Sequence, residues 1–226
     1  MSQRISPLFS HFGGKTRYAH LYPKPIYKTI VEPFAGAAGY ATQYPSHRVI
    51  LIEKDPRLAA LWAWLIGVSP REVLSLPLRV TDLRSMNLTP EQKTLIGFWI
   101  KFGQPSPGNF PSPLTRSRPY LNCKSWGPRV RARIARQVEN IRHWKVVEGD
   151  YSLAADIVKG EATWFVDPPY QVAGKAYRES SKNIDFKALG EWCRDRSGQV
   201  IVCENEGADW LPFRPFQNFV SGSRRH

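Results

Sequence analysis

The chain has 226 residues, 42% hydrophobic and 23% charged, the proportions of a soluble globular protein with room for one α/β domain carrying an insertion. Its 32 Lys and Arg against 19 Asp and Glu leave a net charge of +13, which points to a polyanionic partner, nucleic acid before a membrane surface. The sequence argues against a spanning helix, a secretory leader, a disulfide framework and a metal site: no apolar run approaches about 18 residues, the N-terminus lacks a basic region followed by an apolar core, and Cys123, Cys193, Cys203 and the five histidines have no ligand spacing.

In chain order, Thr29 to Phe34 reads as a strand, followed by the small-residue turn Ala35 to Gly39 and a short helix. Arg48 to Glu53 is a second apolar strand ending in an acid. Pro56 then opens a helix over Arg57 to Ile66, with proline at its first position. Glu91 to Phe102 has helical spacing at Leu95, Phe98, Trp99 and Phe102. Gly103 to Gly127 is rich in Pro, Ser and Gly and reads as a loop. Pro128 to Trp144 forms a basic helix with Val130, Ile134, Val138 and Ile141 on its apolar stripe. Lys145 to Glu148 is a third strand, closed by Gly149 and Asp150, and a short helix around Leu153 to Val158 follows. Thr163 to Val166 is the fourth strand. After a loop over Gln171 to Asn183, Asp185 caps a helix running to about Arg196, and Gln199 to Glu204 is a fifth strand. Strands alternating with helices predict an α/β fold with a doubly wound, largely parallel sheet. Ligands of such sheets sit beyond the strands' carboxyl ends, where Phe34, Glu53, Asp150 and Asp167 all fall.

Four segments carry chemistry. Asp167-Pro168-Pro169-Tyr170 ends the fourth strand; two prolines stop a strand in any protein, but they also fix the backbone so that a carboxylate and a carbonyl can be aimed at a planar base and its exocyclic amine. Val31 to Gly39 (VEPFAGAAG) puts small residues after a strand, where backbone can approach a ligand closely. It lacks the G-x-G-x-x-G of dinucleotide enzymes, which weakens a hydride-transfer reading. Glu53 ends the next strand, where an acid can accept both hydroxyls of a ribose; Asp55 is the less favoured alternative. Ser10 to Arg17 (SHFGGKTR) sets a Gly-Gly turn before Lys15 without the spacing of a phosphate-binding loop.

Between Lys101 and Lys145 there are ten Lys or Arg and one acid, Glu139, so this segment holds +9 of the +13. Tyr120 and Trp126 interleave with the charges. Such a segment suits phosphate neutralisation, with strongly salt-dependent binding. Arg116 and Arg118 are candidates for reading guanine edges. Lys124, Arg129, Arg131 and Arg133 are candidates for phosphate contacts. Lys175, Tyr177, Arg178 and Lys182 follow the tetrapeptide and could close over a bound nucleotide.

HFGGK, VEPFAGAAG, LIEKD, GDY and DPPY, in that order, resemble the alpha group of DNA adenine-N6 methyltransferases, the Dam-like family of bacteria and phages. The resemblance covers roughly residues 5 to 66 and 145 to 210 and is weak or absent between them. It implies a Rossmann-like methyltransferase sheet formed by residues 1–66 and 145–226, which binds S-adenosylmethionine. Residues 67–144 would be an inserted, mainly helical and loop target-recognition region. The expected activity is methyl transfer to N6 of a flipped adenine in double-stranded DNA, by a monomer without metal or membrane, in the cytoplasm of a bacterial or phage-infected cell, with or without a restriction partner. His11 and Lys15 would contact the methionine end of the cofactor, and Phe34, Ala35 and Gly36 would pass beside it. Glu53 would hold its ribose, and Asp150 would accept from its adenine amine. Asp167 would be the catalytic carboxylate, with Pro168 supplying a carbonyl, Pro169 fixing the backbone and Tyr170 a stacking face. The sequence departs from the group at His11, where a large aromatic is usual, at A-A-G in the glycine turn, and at Ser221 to His226, where relatives continue into a final strand pair. Cytosine N4 or an RNA base, which also offer an exocyclic amine, and a catalytically inactive DNA-binding protein are the alternative readings.

Overall fold

The computed structural model describes residues 4–11, 13–111, 125–171 and 181–216. Its centre is a five-stranded, all-parallel sheet of β1 (Thr29–Glu32), β2 (Arg48–Glu53), β3 (Lys145–Glu148), β4 (Ala162–Val166) and β5 (Gly198–Val202), in the order β3-β2-β1-β4-β5. Buried on both faces, β2 and β4 read as continuous apolar runs rather than alternating ones. From β1 the chain moves outward to β2 and β3; from β4 it moves the other way to β5. The gap between β1 and β4 is therefore the point where the winding reverses, and the two strands are paired there through Ile30 with Thr163 and Val31 with Trp164.

Helices cover both faces. Alternate strand residues Ile30, Val49, Leu51 and Phe165 face one core, shared with α1 (Pro56–Gly67), α3 (Pro90–Ile100) and α4 (Pro128–Gln137). Val31, Ile50, Ile52, Trp164 and Val166 face a second core, shared with α5 (Ala154–Ile157) and α6 (Phe186–Arg194). Residues of the 67–144 segment, among them Val73, Leu95, Trp99, Trp126 and Val130, belong to the first core together with Leu8, Phe9, Leu61 and Trp62. That segment is thus packed into the sheet's own hydrophobic core over much of its described length.

The helix starts follow their local chemistry. Asp55, Ser69 and Thr89 cap α1, α2 (Pro70–Ser75) and α3, each followed by proline at the first helical position. Asp185 caps α6 by accepting from the Ala188 amide at 3.0 Å. The sequence reading did not anticipate α2, although Ser69-Pro70 is a start signal of the same kind. It also carried the basic helix to Trp144. The α-helix instead stops at Gln137 and tightens into a 3-10 turn over Val138–Ile141, which turns both of those side chains into the core. The helix expected to reach Phe102 ends at Ile100, where Lys101 leaves the helical region and Gly103 takes φ +74°. β1 stops at Glu32 because Pro33 has no N–H to donate.

Candidate active site

A pocket of about 320 Å³ opens over the carboxyl ends of β1, β2 and β4. Its lining includes every residue to which the sequence gave a catalytic or cofactor role: His11, Lys15, Phe34, Ala35, Gly36, Glu53, Asp150, Asp167, Pro168, Pro169 and Tyr170. These come from five separate segments, gathered by the reversal of winding between β1 and β4.

The turn after β1 is held by the strand beside it. The Ala35 amide donates to the Ile52 carbonyl at 3.0 Å, and the Gly36 amide donates to Glu53 Oε2 at 2.8 Å. Trp62 Nε1 donates to the Gly36 carbonyl at 2.8 Å. Gly36 has φ +47°, a conformation that suits glycine. Ala38 has φ +48°, which costs about 1 kcal/mol for a residue with a Cβ. Glu32 holds the next stretch: buried at the end of β1, it accepts from the Ala41 amide at 2.6 Å. Burial pushes its carboxyl up to about 8, against the amide bonds that favour the ionised form.

Glu53 is buried as well, and burial pushes its carboxyl up to about 7. One oxygen accepts from Gly36 and the other from the Asp55 amide at 2.9 Å. A carboxylate has about four lone-pair sites, so Glu53 can bind the turn and still accept from two hydroxyls. Asp55 is committed to capping α1 and to a two-point ion pair with Arg57.

On the β3 side, Asp150 accepts from the Ser152 amide at 3.2 Å and from Lys54 Nζ at 3.4 Å. The next residue, Tyr151, stacks on Phe34 with ring centroids 5.3 Å apart and makes a T-shaped contact with Trp192. Phe34 and Tyr151 form an aromatic wall beside two carboxylates, a setting for a flat, amine-bearing ring.

Asp167 follows the fully buried β4 and keeps 18% of its side chain exposed. Both of its oxygens accept from Lys15 Nζ, each at 2.7 Å. Lys15 reaches that position because Gly39 lets two turns meet: a Cβ at Gly39 would lie 2.8 Å from the Thr16 nitrogen and 2.9 Å from that of Lys15. His11 sits on the other side of the Gly-Gly turn, its ring edge-on to Phe98 at 5.5 Å, so α3 supports the N-terminal segment. Glu204, just past β5, ties down the end of the tetrapeptide by accepting from the Gln171 amide and from Trp210 Nε1, each at 3.1 Å.

Glu32, Tyr151 and Glu204 were not among the sequence-derived site residues. The first could have been found by the argument used for Glu53, since it also is an acid at a strand end. Tyr151 follows directly on a named residue. Glu204 also ends an expected strand, but its role comes from contacts with Gln171 and Trp210 that the sequence does not signal.

The basic side chains divide. Arg129 and Arg136 are exposed on α4. Arg131 donates to the Leu76 carbonyl at 2.6 Å, and the Arg133 guanidinium lies 5.0 Å from the Trp99 ring. Arg142 donates to the Ile66 and Val68 carbonyls. Part of the charge read as phosphate-binding thus closes the ends of α1 and α2. Arg116, Arg118, Lys124, Lys175 and Arg178 lie outside the described residues, as do Tyr120 and Tyr177. Among the described residues no helix is long and apolar enough to cross a membrane. No group of three or more His, Cys, Asp or Glu among them is arranged to hold a metal ion. No protein-family model matches the chain, and no curated protein matches it.

Proposed function

We propose that the chain is an S-adenosylmethionine-dependent methyltransferase that acts on N6 of an adenine rotated out of double-stranded DNA, on a Rossmann-like methyltransferase sheet. The observation that carries this reading is the position of Asp167-Pro-Pro-Tyr170. It shares one pocket, at the reversal of winding, with the small-residue turn and with Glu53 and Asp150.

The residues present fit the cofactor. The pocket volume lies within the range of small-molecule sites. Glu53 keeps acceptor capacity beside the Gly36 backbone, where, among the described residues, only His11 Nδ1 lies within 4 Å of the position a Cβ would take. Asp150 and the Phe34–Tyr151 wall offer an acceptor and a stacking face. When bound, S-adenosylmethionine supplies a methyl group on a positively charged sulfur.

The work of the chain is to make a poor nucleophile competent. The N6 lone pair of adenine is delocalised into the ring. Asp167 accepts one N6 proton and the Pro168 carbonyl the other, which lets the nitrogen pyramidalise and free its lone pair. Acceptors fixed in advance favour the charge that develops on nitrogen and cost no reorganisation at that moment. The proton released after methylation leaves through the Asp167 carboxylate. Tyr170 supplies a face for the extruded base; flipping costs a few kcal/mol, and stacking returns about 1–3 kcal/mol.

Incubation with methyl-labelled cofactor and duplex DNA, followed by digestion to nucleosides, tests the proposal. Label in N6-methyladenine supports it. Label in N4-methylcytosine moves the substrate, and absence of label from DNA and RNA alike removes the enzyme reading.

A further inference from the structure

Lys15 occupies the place that the proposed reaction gives to the substrate amine. Its Nζ donates to both oxygens of Asp167 at 2.7 Å and to the Gly13 carbonyl at 3.1 Å. The same nitrogen stands 4.8 Å from the centroid of the Tyr170 ring. It thus takes the Asp167 acceptor and the Tyr170 face proposed for the exocyclic amine of a stacked base, while its main-chain acceptor is Gly13 rather than Pro168.

The ammonium is firmly held. The two side chains are 14% and 18% exposed. Burial lowers the Lys15 pKa, but Asp167, with smaller contributions from Cys203 and Tyr22, more than offsets this and leaves it raised, so the charge is kept. The Lys15 backbone packs closely against Gly39, so rotation of the side chain is the shortest route to release. A neutral amine is a weak competitor, because hydrogen bonds between charged partners are roughly twice as strong as neutral ones. An anion can compete, and the proposed cofactor carries a carboxylate.

On the methyl-transfer reading, we propose that Lys15 is an internal occupant of the amine subsite. It leaves Asp167 for the carboxylate of the cofactor, so that the base binds only after the cofactor has bound. The site is thereby closed to bases until the methyl donor is present.

Two nucleosides separate the effect from simple pocket filling. S-adenosylhomocysteine and 5′-methylthioadenosine share the nucleoside and the thioether, but only the first has the amino-acid carboxylate. The full chain, saturated with one or the other, is titrated with 9-methyladenine and followed by NMR. With S-adenosylhomocysteine the base should bind about tenfold more tightly or better. In Lys15→Gln the two nucleosides should give equal affinities, both near the higher wild-type value. Equal affinities in the wild type, no base binding with either nucleoside, or a difference that survives in Lys15→Gln would each overturn the proposal while leaving the methyl-transfer reading in place. A wild-type chain that binds neither nucleoside removes that reading instead, and the proposal with it.

Discussion

Glu32 and Glu53 end neighbouring strands, and each uses its carboxylate to bind loop amides. Both are buried, and burial pushes their carboxyls up to about 8 and about 7. A carboxyl whose folded pKa lies above its unfolded value stabilises fully below the unfolded value, about 4.3. That contribution is lost as pH rises through the folded pKa. The protein should therefore lose stability to urea as pH rises from about 5 to about 8.5. Glu32→Gln keeps an acceptor for the Ala41 amide and removes the titration, so it should flatten the upper part of this decline while Glu53 still titrates below. An unchanged slope above pH 7 in that variant would assign the titration to another group.

At the scale of elements, the contact between the N-terminal segment and the small-residue turn positions Lys15 and, through it, Asp167. Gly39→Ala would place a Cβ against backbone nitrogens of Thr16 and Lys15, which cannot swing away as a side chain can. It should cost about 1–3 kcal/mol in urea unfolding and weaken cofactor binding. Gly67→Ala is the matched control: among the described residues nothing lies within 4 Å of the added Cβ, and it should be neutral or slightly stabilising. Equal effects of the two would show that the close approach is unimportant.

The strands were legible in the sequence because each is an apolar, β-branched run stopped by proline, glycine or an acid. The convergence of the candidate residues on one pocket was legible because a parallel sheet brings strand ends together whatever the order of the strands. The Lys15–Asp167 pair was not legible, since it joins residues 152 positions apart through a side-chain reach that spacing does not encode. Nor was the double use of arginine: Arg129 and Arg131 look alike in sequence, and only the end of α2 at Leu76 tells them apart.

For the whole molecule, that distinction redistributes the +13 charge. Arg131 and Arg142 hold helix ends together and Arg133 packs on Trp99, while Arg129 and Arg136 remain open to an external partner. Arg131→Ala should cost about 1–3 kcal/mol of stability by leaving the Leu76 carbonyl without its donor. Arg129→Ala and Arg136→Ala should leave stability within about 0.5 kcal/mol and weaken duplex DNA binding similarly across sequences. Each should also reduce the slope of affinity against salt by about one counterion. An unchanged slope would place the DNA on another face.

The most direct measurement of the central claim is the methylation state of DNA from a host without adenine methylation of its own, expressing either the wild-type chain or Asp167→Asn. N6-methyladenine is expected at a defined sequence with the wild type and should be lost with Asp167→Asn, although that protein still binds S-adenosylhomocysteine. Adenine methylation that persists undiminished in Asp167→Asn would contradict it.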